Sequence, residues 1–114
     1  MSILGYEAFA KWFRDELKRS GFNVDIDHNE VIVRSKTKEA QVLPLDTLYR
    51  TYVDVSIQNP KASADDVLAY VKSASDAFNE RLHRPAIFEV KNVPELNVGR
   101  VLMQKCVNRP KPRE

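Results

Sequence analysis

The stretch FNVDIDHNEVIVR, Phe22 to Arg34, decides how this 114-residue chain folds. Phe22, Val24 and Ile26 alternate with Asn23, Asp25 and Asp27, the two-residue period of a strand with one face in a core and the other in water. Val31 to Arg34 is a second apolar run, and Asp27-His28-Asn29-Glu30 between them is rich in side chains that bend back onto their own backbone. An antiparallel hairpin is the simplest arrangement.

Upstream of the hairpin the period is helical. Tyr6, Phe9, Ala10, Phe13 and Leu17 recur at three- and four-residue steps, with Glu7, Lys11, Arg14, Asp15 and Lys18 on the other side. Gly21 can take the left-handed conformation that closes such a helix. Downstream, Ser35 to Glu39 is polar and Ala40 to Leu43 is a short third strand. Pro44 can open a helix because its missing N–H would be unpaired there, and the spacing predicts that helix over Leu45 to Ile57. Asn59-Pro60 breaks it. Ser63 then caps a third helix, with Asp65 and Asp66 at the positive end of its dipole. Its stripe of Val67, Leu68, Val71, Ala74, Phe78 and Leu82 ends near His83, because Pro85 disfavours helical geometry at Arg84. Ile87 to Val90 reads as a further strand. Arg100 to Val107 fits a strand by alternation and a helix by the spacing of its apolar residues; we read it as strand.

Segregated helices and strands imply an α+β domain over residues 1–107, with residues 108–114 as a basic, proline-containing tail. The expected sheet is an antiparallel meander of three to five strands. The first and third helices should cover one face, and the second should lie at an edge. The expected core holds Phe9, Phe13, Leu17, Val24, Ile26, Val31, Val33, Val42, Leu48, Tyr52, Val67, Val71 and Phe78.

With 43% hydrophobic and 30% charged residues, the chain belongs with soluble globular proteins. No run approaches the ~20 apolar residues that span a bilayer. Lys11, Arg14 and Asp15 interrupt any secretory leader, and the single Cys106 cannot form an internal disulfide, so the expected compartment is the cytoplasm.

Chemistry-bearing motifs are scarce. His28, His83 and Cys106 are too few and too scattered for a zinc site of four ligands. Asp25 to Glu30 begins like a calcium loop, but Glu30 stands where the sharp turn needs glycine and Lys36 where a bidentate glutamate belongs. Gly5, Gly21 and Gly99 are too dispersed to cradle a phosphate. We expect no metal, no cofactor and no catalytic group, and an activity built from scattered Asp, Glu or His residues ranks last. First ranks a protein-binding module, as an adaptor, chaperone-like accessory or inhibitor. Its surface is expected on the short third strand and the helix after it, at Val42, Tyr49 and Tyr52, where a second copy or another protein would sit. The alternative is nucleic-acid binding. Residues 100–114 carry a net charge of +4 while the remainder carries −2, so Arg109, Lys111 and Arg113 in the tail, with Arg34, Lys36 and Lys38 in a turn, are the candidate phosphate contacts.

The element order, centred on Val42-Leu-Pro-Leu-Asp-Thr-Leu-Tyr-Arg-Thr-Tyr52, resembles the N-terminal part of the YtpQ-like bacterial proteins, a family of uncharacterised function. There too a leading amphipathic helix precedes short strands and a segment that Leu45 to Tyr52 fits. The likeness covers Tyr6 to Leu82. It implies a shape and no activity, and family members are typically longer.

Overall fold

The computed structural model describes residues 3–36 and 39–97. Six elements follow in order: α1 (Tyr6–Arg19), β1 (Asn23–Asp27), β2 (Glu30–Arg34), β3 (Gln41–Pro44), α2 (Leu45–Gln58) and α3 (Ala64–Arg81). The strands form one antiparallel sheet in the order β1-β2-β3. The fold is therefore a small α+β domain, and the meander expected from the alternation is present.

The register explains which side chains enter the core. Val24 faces Val33, Ile26 faces Val31, Val31 faces Leu43 and Val33 faces Gln41. These residues share the inner face, with Val24, Val31, Val33, Leu43 and Gln41 buried. Asp25, Ile32 and Val42 form a row on the opposite face. Val42 is thus not a core residue: neighbouring side chains point to opposite faces, Leu43 takes the inner place, and Val42 is 39% exposed.

Two helices end in the same hydrogen-bond pattern with different residues at its tight point. After α1, Gly21 N donates to the Lys18 carbonyl and Phe22 N to that of Leu17, with Gly21 at φ +98°. After α3, His83 N donates to the Glu80 carbonyl and Arg84 N to that of Asn79, with His83 at φ +61°. Both satisfy terminal carbonyls through one left-handed residue. Glycine holds that conformation without strain and histidine does not. Replacing His83 with glycine removes a left-handed penalty of roughly 1–2 kcal/mol and gives back part of it in unfolded-chain entropy, so stability should rise by about 0.5–1 kcal/mol, measured by urea unfolding. A loss would mean that the imidazole makes contacts worth more than the strain.

The start of α3 follows the sequence reading, with Ser63 Oγ accepting from Asp66 N at 3.1 Å. The start of α2 has no side-chain cap. Instead Leu45 N donates to the Asn29 carbonyl at 2.8 Å, so the ladder of β2 and β3 runs without a loop into the helix.

The helices are arranged differently from the expectation. α1 packs against β1, while α2 packs against β3, α1 and α3. α2 is the central helix rather than an edge element, because Leu45, Leu48, Thr51, Tyr52, Val55 and Ser56 are all buried on it. The second correction concerns Ile87 to Val90, which is not a strand. The Asp76 carboxylate collects the backbone N–H groups of Ile87 at 2.6 Å, Phe88 at 2.9 Å and Glu89 at 2.6 Å. Those donors cannot serve a ladder as well. The loop plugs the core with Ile87 and sets Phe88 edge-on to Phe13 and Phe22. Residues 98–114, and with them the strand read at Arg100 to Val107, lie outside the described residues.

Candidate functional site

An open groove runs along the outer side of β3, formed by two clefts that share Val42 and Arg84. One, of about 460 Å³, lies between residues 39–42 and His83 to Pro85. The other, of about 590 Å³, lies between Glu30, Val42, Pro44 and Asp46 on one side and Phe78, Leu82 and Arg84 on the other. Leu82, the C-cap of α3, has a stripe position that suggested burial, yet it is 44% exposed and lines the groove.

Beside this groove β3 has an edge that no strand pairs with among the described residues. In an antiparallel ladder alternate residues point their backbone groups at the same neighbour. Leu45 N bonds to Asn29 O, in step with the pairs Leu43–Val31 and Gln41–Val33, so the odd-numbered residues serve β2. Val42 therefore directs its N–H and C=O away from the sheet, whereas Pro44 has no N–H and its C=O, at the N-cap of α2, accepts the helix's first bond. A four-residue edge strand ending in proline is a common guard against indiscriminate pairing. Here the same edge has an apolar side chain and an opposing wall.

The groove is more acidic than basic. Glu30, Glu39 and Asp46 are exposed along it, against Arg84 and the imidazole of His83. Asp46 Oδ1 accepts from Tyr6 Oη at 2.8 Å. Burial, and then this bond, push the Tyr6 phenol up to about 12, so Tyr6 stays a neutral donor that fixes the Asp46 carboxylate.

Only part of the expected partner surface is at the surface. Val42 is on the groove. Tyr52 is fully buried, with its ring 4.7 Å from that of Phe9, and its hydroxyl accepts from Leu4 N at 2.9 Å. Tyr49 is half-buried and donates to the Leu4 carbonyl at 2.9 Å. Tyr49 was expected on an outer helix face, and Tyr52 both in the core and on the partner surface; because α2 is central, Tyr52 belongs to the core and the two together clamp the backbone of Leu4 ahead of α1. Tyr70, offset from the α3 stripe, is also buried.

Of the candidate phosphate contacts, Arg34 and Lys36 are exposed, while Lys38, Arg109, Lys111 and Arg113 lie outside the described residues. His28 Nδ1 is 2.8 Å from Asp27 Oδ1, but their side chains are 92% and 66% exposed on the hairpin turn. Bulk water screens such a pair. Cys106 is not described. Among the described residues no group of three His, Cys, Asp or Glu side chains could hold a metal ion, and no helix is long and apolar enough to cross a membrane. Asn79 is fully buried, and among the described residues its amide has no hydrogen-bond partner.

Comparison with protein-family models, with curated proteins and with solved structures gives no match.

Proposed function

We propose that the domain is a protein-binding module whose binding surface is the β3 edge and the groove beside it. One observation carries this reading: Val42 joins backbone groups unpaired among the described residues to an exposed apolar side chain, and Leu82 stands across the groove from it. Edges of this kind accept an added strand from another chain. The carboxylates of Glu30, Glu39 and Asp46 repel a phosphate backbone, which favours a polypeptide over nucleic acid at this surface.

Changing Val42 to lysine places a charge in the groove without touching the core. The expected result is loss of self-association in light scattering over a concentration series, or loss of the partners recovered with the unaltered protein. Circular dichroism should stay the same. A protein that is monomeric at every concentration, with partner recovery unchanged in Val42→Lys, refutes the proposal.

A further inference from the structure

The chemistry of the groove restricts what can enter it, and the following rests on the β3 edge being the binding surface. We infer that the occupant is an extended polypeptide strand carrying cationic residues between apolar ones, contributed by a partner protein. The backbone groups set the first requirement. Val42 presents one donor and one acceptor, while the Pro44 carbonyl, at the N-cap of α2, accepts the helix's first bond, so an incoming strand must supply one C=O and one N–H to Val42. Proline or another tertiary amide at that position removes a donor that nothing else replaces.

The side chains set the second requirement. Val42 and Leu82, 39% and 44% exposed, flank the groove and gain by losing water to an apolar residue between them. Three carboxylates, Glu30, Glu39 and Asp46, line its length against the single guanidinium of Arg84. Lysine or arginine on the incoming strand is attracted there, and glutamate is repelled. The groove wall contributed by Leu82 to Pro85 also disfavours the alternative of a second flat sheet abutting the first, because that wall stands beside the edge where a neighbouring sheet would lie.

The test uses the full chain labelled with nitrogen-15 and three blocked hexapeptides: one alternating lysine and valine, one with glutamate for lysine, and one with a central proline in the lysine series. The lysine peptide should shift the amides of Val42 and of Leu82 to Arg84. The glutamate peptide should bind about tenfold more weakly or worse, and the proline peptide should fail to shift Val42. Raising the salt concentration should weaken the lysine peptide. The variant Glu30→Lys/Glu39→Lys, changed at two exposed positions, should reverse the preference between lysine and glutamate peptides. Equal binding of the two charge types overturns the cationic requirement, and equal binding of the proline peptide overturns strand pairing. If no peptide moves the Val42 amide the inference falls, whereas the β3 edge itself fails only when Val42→Lys also leaves association and partner recovery unchanged.

Discussion

Truncating Phe9 to alanine is expected to cost about 3–5 kcal/mol of unfolding free energy, the range for a fully buried aromatic ring. Phe9 is 0% exposed. Its ring centroid lies 4.7 Å from Tyr52, 5.5 Å from both Phe13 and Tyr49, and 6.0 Å from Trp12. The ring is therefore the point where α1 meets α2, and its removal leaves a void that four aromatic neighbours are too rigid to fill. Domains of this size have only about 5–15 kcal/mol in total, so the variant should lose a large share of its stability. Urea unfolding measures the loss. Lys11→Ala, on the exposed side of the same helix, should stay within about 0.5 kcal/mol. A loss under about 1 kcal/mol for Phe9→Ala would mean that α1 does not dock through this face.

Replacing Asp76 with alanine should have the next largest effect, about 3 kcal/mol, because hydrogen bonds to a charged group are worth about 1.5–3 kcal/mol each and do not add fully. One carboxylate holds three successive backbone N–H groups, at Ile87, Phe88 and Glu89. Without it the loop loses the anchor that seats Ile87 in the core and Phe88 against Phe13 and Phe22. Asp76→Asn keeps one acceptor oxygen and should lose about half as much. Amide hydrogen exchange distinguishes a local from a global effect: the amides of residues 87–89 should lose protection first in Asp76→Ala. Unchanged protection there would show that the loop is held by its apolar side chains alone.

The elements with a clear period were legible from the sequence. The α1 stripe, the hairpin alternation, the Ser63 cap and the Gly21 stop are all written in short windows, and each is a local interaction. What was not legible depends on residues distant in the chain. Ile87 to Val90 has the composition of a strand, and only the Asp76 carboxylate, eleven residues earlier, diverts its donors. Val42 and Leu43 are adjacent apolar residues, so their composition does not say which one faces in; the register against Val31 and Ile32 decides it. Tyr49 looks like a surface aromatic, and Tyr52 fits core and surface equally, until α2 is known to lie between α1 and α3. The groove itself joins residues 39–46 to residues 78–85, and no window of sequence contains both sides. Leu82 at the end of an apolar stripe gave a faint signal, since it lies just past the last helical turn.

The loopless passage from β3 into α2 has a kinetic consequence. Along β1, β2, β3, α2 and α3 each element packs on its predecessor in the chain, so most of the structure can assemble by closing short loops, which is fast. α1 also packs on its chain neighbour β1, but its contact with α2 is long-range: Leu4 meets Tyr49 and Tyr52, 45 and 48 residues away, so that contact should form after the hairpin and α2. Tyr52→Phe, which removes the hydroxyl that receives Leu4 N, should then speed unfolding and leave the folding rate nearly unchanged. Stopped-flow measurements that instead showed slowed folding would place the docking of α1 before the rate-limiting barrier. With the seam between α1 and α2 the last to close, the β3 edge is in place before the N-terminal helix seals against α2.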